Sequence, residues 1–133
     1  MASDPAPEME VSGFDALYGL ELTECSAESA RGRVHVRDEL RQSGGFVHGG
    51  VYAAIADALA THGTAASVGH QGQVAVALTN QTTVLHPIAH GTLHAVATRR
   101  HRGRTTWVWE VEIVDAAGLV CVVGRVTVAV TDV

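Results

Sequence analysis

Between positions 42 and 61 the chain sets a few chemically capable residues at fixed intervals: Gln42, then His48-Gly49-Gly50, then Asp57 and Thr61. Asp57 is the only formal charge in that stretch, which is otherwise rich in alanine and glycine. A helix that begins at Gly49 offers N–H groups without intrahelical partners, and the positive end of its dipole, to whatever lies beyond it. Such donors can polarise a carbonyl oxygen, while a carboxylate can attack the carbonyl carbon or activate water, so the pair suggests acyl transfer. A lone carboxylate can also be just the solvated point of an amphipathic helix, with Thr61 a neutral passenger. The lack of other charge and the glycines at the helix start favour the functional reading. Asp57 and Thr61, four residues apart, share a helix face with Ala53 and Gly50, whereas Val51, Ala54, Ile55, Ala58 and Leu59 form an apolar stripe elsewhere. Gly49 and Asp57 are about 12 Å apart along one helix axis. A reacting carbon needs donor and carboxylate each within roughly 3 Å, so the simplest solution is a composite site, with Gly49 of one subunit facing Asp57 of its partner.

The elements that must hold these residues follow from periodicity. Segments 20–24 and 30–37 read as strands, the second alternating Gly32, Val34 and Val36 against Arg31, Arg33, His35 and Arg37, which gives it one wet face. A polar loop with Gly44-Gly45 leads into the one long helix, predicted over 49–67. Four further strands are expected at 74–85, 91–100, 105–114 and 119–130, rich in Val, Thr and Trp and separated by His86-Pro87, Arg102-Gly103 and Asp115-Ala116-Ala117-Gly118. Short connections favour antiparallel neighbours. An alanine-rich helix with almost no charge needs cover on most sides, which a long antiparallel sheet curled around it, together with a second subunit, would provide. Residues 1–12 read as a loose tail and 13–133 as a single domain.

Composition narrows the function. At 133 residues the chain can bury a core without disulfides or a structural metal. Cys25 and Cys121 form no paired-ligand motif and read as reduced thiols. No basic, apolar leader is evident and no window approaches the roughly 20 apolar residues of a membrane span, so a soluble cytoplasmic protein with no membrane partner is expected. A net charge of −5 with no lysine argues against nucleic acid as a partner. Positive charge gathers instead at Arg99-Arg100-His101-Arg102-Gly103-Arg104, which suits a small anionic ligand. His86, His90 and His94 share a spacing of four, but Pro87 and Gly91 oppose a helix, and on a strand they would stand about 13 Å apart, so no metal site is expected. Trp107 and Trp109 share a strand face and read as packing residues. Ser43 and Ser67 lack the surroundings of a serine nucleophile, and Gly49-Gly50 lacks the lysine of a phosphate loop.

With Gln42, His48-Gly49-Gly50, an acid at 57 and a hydroxyl at 61 in place, the sequence resembles the hotdog-fold acyl-CoA thioesterases, above all the Arthrobacter-type 4-hydroxybenzoyl-CoA thioesterase subfamily. Thr79-Asn80-Gln81-Thr82-Thr83 and Gly103-Arg104-Thr105-Thr106-Trp107 resemble two further stretches of it. The resemblance implies an α+β hotdog fold, an antiparallel sheet of about six strands wrapped around one long central helix. It also implies a composite site at a dimer interface, and a homodimer or a homotetramer built as a dimer of dimers. The expected substrate is an acyl-CoA, aromatic or otherwise compact, and coenzyme A enters as part of that substrate, with no separate cofactor. Gly49 is then the oxyanion donor and Asp57 the nucleophile or general base. Thr61 orients Asp57 or water, and Gln42 positions the thioester or a product group. His48, Gly50, His86, Arg102, Arg104, Thr105 and Thr106 are the candidates for contacts to substrate and coenzyme A. The subfamily carries Glu where this chain has the shorter Asp57, Arg where it has His86 and Ser where it has Arg104. Two alternatives share the fold: a noncatalytic acyl-CoA sensor, against which the acid at 57 counts, and a hydratase or dehydratase, which would need an Asp/His pair over carbon.

Overall fold

The computed structural model describes residues 9–133, so most of the segment read as a tail, residues 1–8, lies outside the described residues. Helix α1 (Gly13–Leu17) comes first, followed by β1 (Glu21–Cys25) and β2 (Ser29–His35). The long helix α2 (Gly49–Val68) then precedes β3 (Gln73–Val84), β4 (Thr92–Arg102), β5 (Thr106–Val114) and β6 (Val120–Asp132). The strands form one sheet in the order β1-β2-β4-β5-β6-β3, and every pairing is antiparallel. The fold is thus the expected hotdog arrangement, with six strands and one long helix. Each strand lies within two residues of its expected bounds, whereas α1 was not expected: five residues are too few to display a helical period.

Register shifts at Leu22/Glu24, Ala77/Thr79, Arg99/His101 and Ile113/Val114 interrupt four of the pairings. Such bulges bend a strand and increase its twist, which lets the sheet curl around α2. Along β2, Ala30, Gly32 and Val34 turn inward while Arg31, Arg33 and His35 stay exposed, the expected one wet face. Within the curl the helix buries Tyr52, Ile55, Ala56, Leu59, Ala60, Gly63 and Thr64. Val51 and Ala54, placed in the apolar stripe by their spacing, are only half-buried, because in a helix this uniformly apolar the shape of the sheet decides which side is covered.

The closest approach is to β5. A Cβ on Gly63 would lie 2.5 Å from the Trp109 ring, so the helix can sit at this depth only with no side chain there. One residue on, Thr64 Oγ1 accepts a 2.9 Å hydrogen bond from the fully buried Trp109 indole N–H and donates to the Ala60 carbonyl at 2.8 Å. Trp107 is buried alongside Trp109.

The two sheet edges differ. Strand β1 is short and its neighbours carry the ion pairs Arg33–Glu21 and Arg31–Glu24. Strand β3 is twelve residues long and exposes Val74, Val76 and Leu78. Among the described residues no helix is long and apolar enough to cross a membrane.

Replacing Thr64 with the nearly isosteric valine leaves the buried Trp109 N–H without an acceptor, an effect of about 1–3 kcal/mol. Urea unfolding of Thr64→Val is expected to show a lower midpoint with an unchanged slope. An unchanged midpoint would show that the indole bond does not hold α2 in the curl.

Candidate active site

The start of α2 is built by a tight turn. Gly45, at φ +90°, donates its N–H to the Gln42 carbonyl, and the chain returns so that Gln42 N–H meets Phe46 O and His48 N–H meets Leu40 O. His48 is the N-cap, and its Nδ1 accepts the Gly50 N–H at 2.8 Å. In the neutral ring the proton therefore sits on Nε2. Val51 N–H goes to the His48 carbonyl, which leaves Gly49 N–H as the donor of the first three helical residues with no partner among the described residues. At 50 a Cβ would stand 2.9 Å from His48 Nδ1, so a side chain there would displace the capping ring. At 49 a Cβ would meet nothing within 4 Å, so open space lies beside the free donor.

Two adjoining cavities flank this helix start. One, of about 590 Å³, lies between α1 and α2 and is walled by Phe14, Leu17, Tyr18, Leu40, Val51 and Ala54, together with the charged Arg37, Glu39 and Arg41 and with His48 and Gly50. The other, of about 360 Å³, is lined by Phe14, Asp15, Gly50, Ala53, Ala54, Asp57 and Asn80. The face shared by Gly50, Ala53 and Asp57 is thus a cavity wall. Thr61 Oγ1 lies 3.4 Å from Asp57 Oδ1, to which it donates. Solvent reaches the Asp57 side chain, yet the cavity walls exclude enough water to hold its carboxyl above the usual carboxylate range. The Thr61 hydrogen bond pulls it back, and the negative charge of Asp15 adds a smaller push upward.

Asn80, Asp15 and Phe14 were not foreseen as site residues. Asn80 Nδ2 donates to the Ala53 carbonyl at 2.8 Å and its Oδ1 accepts from Thr82, which ties β3 to the turn of α2 that precedes Asp57. A polar side chain on a strand face turned toward a helix was the available signal. Asp15 and Phe14 belong to α1 and had none.

The remaining candidates lie apart within one chain. Gln42 is exposed at the base of the turn and lines neither cavity. Arg102, Gly103 and Arg104 border a cavity of about 220 Å³ beside Val68, at the far end of α2. Arg102 donates to Ser67 Oγ at 3.0 Å and lies 4.7 Å over the Trp107 ring. Eighteen residues of helix separate Ser67 from Gly49, about 27 Å. Thr105 and Thr106 turn the chain into β5: Gly103 N–H reaches Thr106 O, and Val130 N–H reaches Thr105 O. His86 is at the other end of β6, its N–H on the Cys121 carbonyl. Cys121 and Val130 are about 30 Å apart along the strand, so His86 and Arg104 of one chain cannot share a phosphate.

Comparison with known proteins agrees with this architecture. The family model of the thioesterase superfamily matches residues 44–122, from the turn before α2 to the start of β6. Protein Rv1847 of Mycobacterium tuberculosis is 37% identical over 92% of this chain and 89% of its own. Its solved structure superposes with a TM-score of 0.86 at 33% identity, covering 90% of this chain and 97% of that one. A 1,4-dihydroxy-2-naphthoyl-CoA hydrolase of Listeria monocytogenes is 28% identical, covering 89% of this chain and 95% of the hydrolase. A mutant of thioesterase PA1618 of Pseudomonas aeruginosa superposes with a TM-score of 0.85 at 26% identity, covering 90% of this chain and 86% of that one.

The folded protein holds the Asp57 proton to higher pH than the unfolded chain does. The ionised carboxylate therefore lowers stability once pH rises above the ordinary aspartate value, and this penalty is absent below it. Asp57→Asn is expected to unfold at a higher temperature than the native protein at pH 7, with the gap closing as pH falls toward 3.8. A gap of the opposite sign, or one independent of pH, would contradict the raised proton affinity.

Proposed function

The chain belongs to the thioesterase superfamily, and from that premise we propose that it hydrolyses acyl-CoA thioesters to the free acid and coenzyme A, with Asp57 as the reacting carboxylate and Gly49 N–H as the oxyanion donor. The observation that carries this reading is the division of labour at the helix start. His48 occupies the Gly50 donor, so among the described residues the helix start is left with the Gly49 N–H unpaired, beside open space and on the same helix as a carboxylate of raised basicity.

The thioester carbonyl oxygen accepts from Gly49 N–H, which draws charge off the carbonyl carbon. Two routes share the geometry. In one, the Asp57 carboxylate takes a proton from water as the water oxygen bonds to the carbonyl carbon; the tetrahedral adduct then collapses, the C–S bond breaks and coenzyme A leaves as its thiolate. In the other, an Asp57 oxygen bonds to the carbon and expels the thiolate, and water then opens the mixed anhydride. Thr61 orients Asp57 in both. Thiolate leaves readily, so little acid assistance is required.

Because Gly49 and Asp57 of one helix are about 12 Å apart, the site is composite, with each protomer supplying one member. The long β3 edge with its exposed apolar residues is the one suited to pair with its own copy. Strand β3 also lies directly against α2, so such pairing brings two α2 helices alongside. Gln42 and the Arg102–Thr106 turn, remote from Asp57 in their own chain, are assigned to the thioester and the coenzyme A phosphates across such interfaces. The apolar cavity between α1 and α2 takes the acyl group, and its volume suits an aromatic or similarly compact one. The naphthoyl-CoA hydrolase of Listeria supports this class of acyl group, in keeping with the resemblance to 4-hydroxybenzoyl-CoA thioesterases.

Release of coenzyme A thiol from aryl-, phenylacetyl- and aliphatic-CoA substrates tests the reaction. Asp57→Asn is expected to lower kcat by about 10²- to 10⁴-fold, and undiminished turnover would sink the assignment. Complementation tests the composite site. Gly49→Pro removes the donor at a helix position that tolerates proline, and the extended His48 before it suits that residue. Mixing inactive Gly49→Pro with inactive Asp57→Asn under subunit exchange is expected to restore about a quarter of native activity, since half the dimers are mixed and each has one intact site. A site contained in one chain would show no recovery.

A further inference from the structure

Helix α1 brings a second carboxylate to the cavity that Asp57 lines. Asp15 Oδ1 accepts the Tyr18 hydroxyl at 3.0 Å, and Asp15 Oδ2 lies 3.5 Å from His62 Nε2. Tyr18 is buried, and its phenol is driven well above the usual tyrosine range, first by that burial, then by Asp15 and, more weakly, by Asp57. His62 is on α2, five residues beyond Asp57, so Asp15 is fixed from both helices. Asp15 and Asp57 line the same cavity, so α1 adds a second carboxylate to the wall that bears the first. Like charges that share a cavity each make the other's ionised form costlier.

We propose that Asp15 is a positioning residue of the reaction, a second negative charge at the site that acts through Asp57 and is itself held in place by Tyr18 and His62. The inference rests on the reading of Asp57 as the reacting carboxylate. The titratable groups around that carboxylate are Asp15 and Tyr18 from α1 and His62 from its own helix, while β3 presents the neutral Asn80. Asp15 therefore opposes ionisation of Asp57, and the carboxylate that does form is the stronger base or nucleophile. The family model's matched residues begin at 44, so Asp15 lies outside them.

The test is the pH dependence of kcat/KM for Asp15→Asn, which keeps an acceptor for Tyr18 and removes only the charge. The acid limb is expected to move to lower pH with KM little changed. A limb that stays in place while the plateau falls and KM rises would show that Asp15 merely anchors α1 and would overturn the proposal. A measurement on the unaltered protein guards against a variant that fails to fold. In carboxyl ¹³C NMR of aspartate-labelled protein, the Asp57 curve is expected to depart from a single-site titration through its coupling to the like charge at the same cavity. A single-step Asp57 curve would overturn the proposal. The NMR curves need no turnover, so their failure is distinct from a failure of Asp57 to act in catalysis.

Discussion

The depth to which α2 sinks into the curled sheet is the constraint on which the rest of the structure depends. That depth is set at one contact, where Gly63 offers no side chain to the Trp109 ring and the neighbouring Thr64 accepts the indole proton. The alanine-rich composition of the helix follows from it, because larger side chains on the buried face would lift the axis away from the sheet. So does the position of the site, since the helix start and the face that bears Asp57 emerge where the sheet curl no longer covers them.

At the helix start, one hydrogen bond divides the work. A serine or aspartate would be the usual N-cap. Here the cap is a histidine ring, whose Nδ1 accepts from Gly50 and takes that donor out of play. The unpaired donor at Gly49 is then defined by what its neighbours do. Asp57 is tuned in a comparable way: its carboxyl is flanked by half-apolar walls, one hydroxyl and a like charge, and each of these acts on its proton affinity through a different physical route.

Much of this was legible in the sequence, for identifiable reasons. Strands with one wet face announce themselves by alternation, as β2 does with its arginines against Ala30, Gly32 and Val34. The spacing of Gly50, Ala53 and Asp57 is enough to place them on one face. Three things were not legible. The buried side of α2 could not be read in full from a helix apolar almost all round, so Val51 and Ala54 pack only at the margin of the core while Tyr52, Ala56 and Thr64 were overlooked. A five-residue helix has no period, so Asp15 and Phe14 were missed. Strand order is invisible to local spacing, so the separation of His86 from Arg104 emerged only once β6 was seen to run between them.

The inequality of the two sheet edges governs how far association can run. An open sheet with two adhesive edges is a monomer unit for a fibre, since each addition regenerates a sticky end. In this chain one edge is short and neutralised by ion pairs, while the other is long and apolar. Pairing of the apolar edge with its own copy consumes it in both partners and leaves only blunted ends. Pairing of that kind would make the chain monofunctional in the polymer chemist's sense, with growth through the sheet ending after one step.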